Sequence, residues 1–600
     1  MPRPPIIWGA GLSIVLSSLP ALVLPPAFAT ALPSVLDRSL PPNSAPKRLK
    51  LFLELPIIAR AVLVLGALAI IRVIVGGYYR NAERKRLGPD VVEVPQAKLK
   101  WPFNLDFIPF DMNIMKNGYI GATWEILVSE YGSIFNLRLL GQDQILTVEP
   151  EVVKAILSTD FNSFEKGSDL QGRMFSVLGN GVFNSDGETW KLHRNMSRPY
   201  FTRERISHFD NFARHSDLAI SKLLSRLAES NHPAVDFQDL ASRFTLDSGT
   251  EFLFGNDVQS LDASLPYPHE EPKDEWASFG AAFTRAQDHV TRRFGLAMFW
   301  PWLELFWDRT SEDMKIINAY VTPILRKRPE TCATDRETEF KLTNERDQGF
   351  RDTLLDHLIR FTQDETVIRD GIINILVAAR DTTATTLTFA VYMLSQNRDI
   401  MARLRDEIIS RLGSSSYPTP DDLKAMKYLR AVLNETLRLF PAVPVNLRVA
   451  TKSTVLKVNG MKYYVPAGAR VIWSTLLMHR RKDLWGPDAD EFDPDRWLDD
   501  RLRKYVVPNP FIFLPFNAGP RICLGQQFAY NEASFFLCRL LQRVELIELA
   551  PDAQPEKTLP RPEWKNGTGR QVYEKIWPKH HLTMYSDGGL WLRMKEAQPA

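Results

Sequence analysis

The sequence predicts a mainly helical protein with a few small β-sheets, preceded by an N-terminal membrane anchor. Two apolar stretches come before residue 88, and from Gly118 onward helical patterns alternate with short β-rich runs. No long Gly/Ser-rich or charged linker divides the chain after this N-terminal region. We therefore expect an anchor region over residues 1–88 and one large globular domain over residues 89–600.

Composition narrows the class of protein. The 74 basic and 71 acidic side chains leave a net charge of only +3, which does not indicate a nucleic-acid partner. Three cysteines, Cys332, Cys523 and Cys538, are too few and too scattered for a disulfide framework or a Cys-rich metal site. The globular domain is therefore expected in a reducing compartment.

The two apolar stretches cover residues 6–24 and 61–79. The first ends at two prolines and precedes an A-x-A pattern, so it fits a signal anchor, a first membrane helix or a cleaved signal peptide. The second is long enough to span a bilayer, although a buried core helix has the same pattern. Basic residues at positions 80, 84, 85 and 86 follow it and indicate the cytoplasmic side of a membrane.

The globular part contains several elements with clear patterns. A β-hairpin is predicted within residues 134–148, and residues 364–396 form the longest helical pattern of the chain. A second long helix is predicted over residues 526–544. Near the C-terminus, residues 582–594 predict a terminal hairpin with its turn at residues 587–589, which read Asp-Gly-Gly.

The domain is organised around the stretch FNAGPRICLG, which begins at Phe516. Each fixed position has a physical reason if Cys523 is a thiolate bound to haem iron. The residues after Cys523 predict a helix start, whose free N–H groups and positive end stabilise a thiolate. Gly519 and Gly525 allow tight turns and a close backbone approach. Phe516 can cover the sulfur, and Arg521 can meet a haem propionate. The alternative is a buried core cysteine in a glycine-containing turn.

This stretch resembles the haem-binding loop of the cytochrome P-450 superfamily. The ARDTT and LPFNAGPRICLGQQFA runs are similar to those of fungal membrane-bound alkane and fatty-acid hydroxylases. The resemblance implies a cytochrome P-450 fold from about Pro89 onward, with haem b (iron protoporphyrin IX) bound through Cys523. A thiolate ligand favours O–O cleavage, so the expected chemistry is oxygen activation and not oxygen carriage.

The middle of the longest helical pattern reads AARDTT, from Ala378 to Thr383. Small residues followed by an acid and a threonine suit a helix that passes over haem, although a solvated polar face gives the same pattern. By resemblance, Ala378 and Ala379 line the oxygen and substrate pocket. Asp381 supplies protons, and Thr382 lies on the bound-oxygen side. The family usually has Gly where this chain has Ala379, which leaves the size of the oxygen groove open.

Further motifs occur in the order that the resemblance requires. Trp190 and Arg194 share one helical face, and both are expected at the haem propionates, although a lone W-x-x-x-R is usually a surface pair. Arg448 is expected at a propionate as well. Val443 and Val445 are expected in the substrate pocket.

Three more residues are expected to form a structural cluster. Glu435 and Arg438 are three apart on a predicted helix and can pair, and the run FDPDRW supplies Arg496. By resemblance this cluster locks the loop that carries Cys523.

The resemblance implies an oxidoreductase that inserts one atom of dioxygen into a lipophilic substrate: a fatty acid, an alkane or an aromatic hydrocarbon. Electrons would come from NADPH through a flavoprotein, the NADPH-cytochrome P-450 reductase. The implied location is the endoplasmic reticulum membrane, with the catalytic domain on the cytosolic side. Two alternatives stay open, a peroxide-rearranging enzyme on the same scaffold and a non-catalytic haem-thiolate sensor or electron-transfer module.

Overall fold

The computed structural model describes residues 56–202, 209–229, 234–270, 275–326 and 353–598. The first apolar stretch and Cys332 lie outside these residues. The described chain is mostly helical with small β-sheets, which confirms the predicted fold class of the globular part.

The N-terminal helix α1, Ile57–Leu87, includes the second apolar stretch and ends at Gly88. Arg84, Lys85 and Arg86 occupy its last turn, where positive charge interacts favourably with the helix dipole. In the described part of the chain, no helix combines the length and the apolar character that crossing a membrane requires. The membrane span predicted over residues 61–79 is therefore not confirmed.

The remaining helices carry most of the described globular part. They are α2 (Phe107–Asn117), α3 (Ala122–Tyr131), α4 (Pro150–Lys154), α5 (Ser168–Leu178), α6 (Gly187–Ser197), α7 (Asp210–Leu227), α8 (Phe237–Phe254), α9 (Glu275–Gly295), α10 (Trp300–Leu303), α11 (Ser311–Arg326), α12 (Leu354–Phe361), α13 (Glu365–Gln396), α14 (Arg398–Leu412), α15 (Pro420–Ala425), α16 (Lys427–Leu439), α17 (Thr475–Met478), α18 (Lys482–Trp485) and α19 (Gln526–Arg543).

The strands are short. They are β1 (Val91–Glu93), β2 (Ile134–Asn136), β3 (Gln144–Thr147), β4 (Phe164–Glu165), β5 (Val235–Asp236), β6 (Val445–Ala450), β7 (Thr454–Val458), β8 (Met461–Val465), β9 (Arg470–Ser474), β10 (Val544–Leu549), β11 (Pro578–His580), β12 (Met584–Ser586) and β13 (Trp591–Glu596).

The strands form small sheets around the helices. A five-stranded sheet has the order β2-β3-β9-β6-β4, and two three-stranded sheets have the orders β1-β8-β7 and β10-β13-β5. Strands β11 and β12 pair with each other. The predicted hairpin within residues 134–148 is confirmed, because β2 pairs antiparallel with β3.

The central element is α13, whose 32 residues span about 48 Å. The Asp364 side chain caps its start by accepting from the N–H groups of Thr366 and Val367. Helices α8, α16 and α19 pack against it. One apolar core includes Leu387 of α13, and a second includes Ile372. The helix therefore separates two cores, and almost all of its second half is buried.

The predicted terminal hairpin over residues 582–594 is wrong. Strand β12 pairs with β11, whereas β13 pairs with β10 and β5. Gly588 and Gly589 do have positive φ angles of 73° and 91°, so the local turn chemistry is present. The two strands beside this turn belong to different sheets because long-range pairing determines their partners.

Candidate active site

The loop that begins at Phe516 is held in one shape by its own backbone. Gly519 has a φ of 66°, and a Cβ there would lie 1.8 Å from the carbonyl oxygen of Leu157. Only glycine fits this position without a backbone shift. The N–H of Cys523 donates to the carbonyl of Phe516 at 3.0 Å. Helix α19 begins directly after Gly525, which places Cys523 at the positive end of that helix.

The Cys523 side chain is solvent-accessible although the surrounding protein desolvates it. Burial raises the pKa of the thiol, whereas a hydrogen bond from the Gly525 backbone N–H and the charge of Arg194 lower it. The Gly525 N–H and the Arg194 charge oppose this rise, and the thiolate is the form that binds metals.

The middle of α13 has one face that is less buried than the rest. Ala378, Ala379 and Thr382 are half-buried, whereas Asp381 and Thr383 beside them are buried. The Thr382 hydroxyl donates to the carbonyl of Ala378 at 2.7 Å, one turn back. Ala378, Ala379 and Thr382 therefore form the partly exposed face of the middle of α13.

The methyl group of Ala379 lies against Gly249 of α8. A Cβ on Gly249 would be 3.2 Å from the Cβ of Ala379, which is a tight contact. Glycine on the neighbouring helix thus makes room for alanine on α13. The departure from the usual Gly is therefore accommodated at the contact between α8 and α13.

The Asp381 carboxylate is held by two buried neighbours. Gln287 of α9 donates to it at 2.6 Å, and Arg380 donates to it at 3.2 Å. Burial raises the pKa of Asp381, and the Arg380 charge and the Gln287 hydrogen bond oppose this rise. Sequence reasoning missed Gln287, because no motif links residues so far apart.

Asp381 also borders a polar cavity. The residues that line this cavity are Gln238, Ser242, Thr284, Arg380, Asp381, Ala384, Thr385, Thr388, His581, Thr583 and Tyr585. Thr382 is not among them.

Three cations from distant parts of the sequence converge near the cysteine loop: Lys166, Arg448 and Arg521. Arg521 donates to Asp186 at 2.7 Å. Burial and the charge of Arg521 lower the pKa of Arg448 to about 9. Burial and both arginines lower the pKa of Lys166 well below its usual range. Such a surplus of positive charge suits the two carboxylates of haem b. Lys166 carries no motif, and sequence reasoning missed it.

Trp190 and Arg194 lie on α6 and reach the same loop. Arg194 donates to the carbonyl of Ile522 at 3.0 Å, next to Cys523. The buried Trp190 ring has the Arg521 guanidinium 4.3 Å from its centroid. The structure thus brings Trp190, Arg194 and Arg521 together beside the cysteine loop.

The predicted cluster of Glu435, Arg438 and Arg496 is completely buried. Arg438 donates to Glu435 at 2.7 and 2.8 Å, and Arg496 approaches the same carboxylate at 3.4 Å. The Trp497 indole N–H also donates to Glu435, at 3.0 Å. Burial opposes the charged carboxylate, but the two arginines keep the pKa of Glu435 below its usual range. The cluster therefore joins α16 to the segment at residues 494–497.

Val443 and Val445 are half-buried at the start of β6, as a pocket wall requires. The N–H of Met584 donates to the carbonyl of Ala442 at 3.0 Å. Leu582, in the connection between β11 and β12, is half-buried against the core that contains Ala379 and Leu447. The start of β12 therefore lies beside Ala442, the residue before Val443.

A cysteine directly before a helix start, with buried positive charge beside it, is suited to holding haem iron in a mainly helical protein. The fold and the site therefore define a haem-thiolate protein. A sequence profile of the Cytochrome P450 family matches residues 102–570. The chain belongs to this family.

The chain is similar to several fungal cytochromes P450. Cytochrome P450 52A3-A of Candida maltosa is 38% identical over 426 residues, which cover 68% of this chain and 77% of that protein. Cytochrome P450 52A5 of the same organism is 34% identical over 518 residues, which cover 83% and 94%. Cytochrome P450 monooxygenase pvhE of Talaromyces variabilis is 37% identical over 435 residues, which cover 68% and 76%.

The chain is therefore a haem-thiolate monooxygenase that carries haem b and acts on a lipophilic substrate. Dioxygen supplies the inserted atom, and NADPH supplies electrons through a partner reductase. Membership of this family favours oxygen insertion over the peroxide-rearranging and non-catalytic alternatives.

Proposed function

We propose that the chain hydroxylates a fatty acid, an alkane or an aromatic hydrocarbon, in this order of preference, with Cys523 as the ligand of the haem iron. The observation that carries this proposal is the accessible Cys523 sulfur directly before the start of α19, with the Gly525 N–H and the Arg194 charge beside it. When bound, haem b supplies the activation of dioxygen. The chain's own residues hold the cofactor, place the substrate and move protons.

Asp381 and Thr382 are the residues that we propose for proton delivery. Asp381 borders the polar cavity, whereas Thr382 lies on the half-buried face of α13. The pair thus connects two sides of one helix. Gln287 holds the carboxylate towards α9, so Asp381 must turn away from Gln287 to pass a proton towards Thr382.

Arg448, Arg521, Arg194 and Trp190 are the proposed partners of the haem propionates, and Lys166 joins them. Guanidinium groups bind carboxylates through two parallel hydrogen bonds, and burial strengthens these bonds. The converging charges described above support this assignment. Phe516 is proposed to cover the sulfur, and Gly519 and Gly525 to shape the loop.

The apolar side chains of the proposed substrate pocket support the proposed substrate class. Val443, Val445, Ala378 and Ala379 are apolar and half-buried, and Leu582 adds a fifth apolar side chain. Apolar walls favour a hydrocarbon chain because burial of apolar surface contributes about 25 cal/mol per Å². We propose terminal hydroxylation of a fatty acid as the first reaction to test.

The ligand assignment is tested with Cys523→Ala and, as a matched control, Cys538→Ala. Cys538 is a fully buried thiol on α19 and is packed in the apolar core. Cys523→Ala should lose the absorbance band of the reduced carbon monoxide complex that thiolate ligation gives, and Cys538→Ala should keep it. Retention of this band in Cys523→Ala would show that the ligand is elsewhere.

The proton role is tested with Thr382→Ala, and Thr386→Ala serves as a control one turn along α13. Thr382→Ala should retain haem but release more of the consumed NADPH electrons as peroxide, whereas Thr386→Ala should couple normally. Unchanged coupling in Thr382→Ala would contradict the assignment.

Product analysis tests the substrate order. Microsomes that contain this protein and a reductase are fed a panel of fatty acids, alkanes and aromatic hydrocarbons.

We also propose that residues 1–88 attach the catalytic domain, residues 89–600, to the cytosolic side of the endoplasmic reticulum membrane. The basic last turn of α1 supports this orientation. An apolar surface near residues 298–307 supports contact with lipid. Its exposed side chains are Phe110, Met112, Met115, Met298, Phe299, Trp302, Leu303, Phe306 and Trp307.

The two parts of this surface are adjacent, because a Cβ on Gly295 would lie 4.0 Å from the Cγ of Met112. Flotation of the full chain with phosphatidylcholine vesicles tests the surface. The double variant Trp302→Ser, Phe306→Ser should bind vesicles more weakly than the wild type. Equal binding would exclude this surface from the membrane contact.

A further inference from the structure

An aromatic stack lies behind the cysteine loop. Tyr530, on α19, has its ring centroid 5.1 Å from that of Phe516. The Tyr530 hydroxyl donates to the Asn434 side chain of α16 at 2.7 Å, and Tyr530 is buried. The hydroxyl bond and the helix fix the ring, so Tyr530 limits the positions that Phe516 can adopt.

A positive charge completes this stack. The Arg430 guanidinium lies 3.7 Å from the centroid of the Tyr530 ring. Arg430 and Asn434 are four apart on α16 and therefore share one helical face. Burial lowers the pKa of Arg430, and the Tyr530 ring and hydroxyl oppose this. Among the described residues, Arg430 forms no ion pair with a carboxylate. Its charge is consequently not neutralised by a neighbour.

Arg403 also lies against a tyrosine ring, but its surroundings differ from those of Arg430. Its guanidinium lies 4.0 Å from the centroid of the Tyr428 ring, but it also pairs with Asp495 at 2.8 Å and is about half exposed. That stack is solvated and neutralised. The stack of Arg430, Tyr530 and Phe516 is less exposed and has no ion pair among the described residues, and the Phe516 carbonyl accepts from the N–H of Cys523.

We propose that Arg430 and Tyr530 are positioning residues that hold Phe516 at the thiolate loop and favour one-electron reduction of the haem. The inference rests on the proposed ligation of the iron by Cys523. An uncompensated positive charge in a region of low dielectric stabilises the state with one more electron. The electron comes from the reduced flavin of the partner reductase, and no bond forms or breaks in this step.

Spectroelectrochemical titration of the full-length, haem-loaded protein tests the proposal. Arg430→Met should decrease the equilibrium constant for one-electron reduction about tenfold, which is a shift of about 59 mV to more negative potential. Tyr530→Leu should shift the potential in the same direction, because it removes the platform of the guanidinium. Arg430→Lys should stay near the wild-type value, since it keeps the charge. Arg403→Met is the matched control and should leave the potential unchanged.

Two outcomes would overturn the inference. One is an unchanged potential in Arg430→Met, and the other is an equal shift in Arg403→Met, which would indicate a general effect of charge. The reduced carbon monoxide spectrum is recorded for every variant. If the wild type lacks the thiolate band, the ligand proposal fails; if all variants keep the band and the potential does not move, only the role of the stack fails.

Discussion

Glu532 provides a test of the buried electrostatics of this domain. Its side chain lies on α19, is fully buried and accepts a hydrogen bond from the Ser248 hydroxyl of α8. Burial raises the pKa of Glu532 to about 8, against a smaller opposing effect of the Ser248 and Thr383 hydroxyls. The side chain is therefore protonated in the folded protein at neutral pH, whereas it is ionised in the unfolded chain.

The sign of the pH dependence follows from this difference. Folding raises the pKa of Glu532, so its protonated form stabilises the folded state. This stabilisation is complete at pH values below the ordinary pKa of 4.5 and is lost as the pH rises through the folded-state pKa of about 8. At about 1.4 kcal/mol per pH unit, the total loss is about 5 kcal/mol. About 1.4 kcal/mol of it falls between about pH 7 and about pH 9.

The substitution Glu532→Gln removes the charge and keeps an oxygen that can accept from Ser248. The free energy of unfolding is measured by urea titration at several pH values between about 6.5 and 9, followed by circular dichroism. The difference between Glu532→Gln and wild type cancels contributions from other titrating groups. We expect this difference to rise in favour of Glu532→Gln by about 1.4 kcal/mol across the upper two pH units.

The control is Glu548→Gln, on β10, whose carboxylate is half exposed. An equal change in both variants would indicate a general effect of removing a negative charge. A flat difference for Glu532→Gln, or one that favours the wild type more strongly at high pH, would mean that the folded protein stabilises the ionised carboxylate. Either result would refute the reasoning from burial.

Two glycine contacts give further predictions. Gly519→Ala should lower the fraction of haem-loaded protein for two reasons. The added Cβ clashes with the carbonyl of Leu157, and the positive φ costs an alanine about 1–2 kcal/mol of backbone strain. Gly413→Ala is the control, because Gly413 has a φ of 70° but open space around it, so the substitution adds backbone strain without a clash. It should retain haem. Equal haem loss in both variants would contradict the contact argument. Gly249→Val should destabilise the fold by about 1–3 kcal/mol in urea titration, since it overpacks against Ala379. Adding Ala379→Gly should restore part of this loss, and strict additivity of the two changes would disprove the direct contact.

Features that depend on neighbouring residues could be predicted from the sequence. The start of α19 after Gly525 follows from local spacing, and so does the long helix whose centre carries Asp381 and Thr382. The pair Glu435 and Arg438 follows from helical periodicity alone. In each case the interacting groups lie within about one helical turn, so the chain's own geometry fixes their relation.

Contacts between distant segments were decided only by tertiary packing. Lys166, Gln287 and Leu582 carry no motif, and each reaches the site because its element packs against another that is far away in the sequence. The C-terminal turn likewise combines a local and a long-range feature. Gly588 and Gly589 determine the backbone angles of the turn, but β13 pairs with the distant strands β10 and β5. Local spacing can specify a turn, a cap or a helical face, whereas strand pairing and charge convergence depend on which surfaces bury each other when the chain folds.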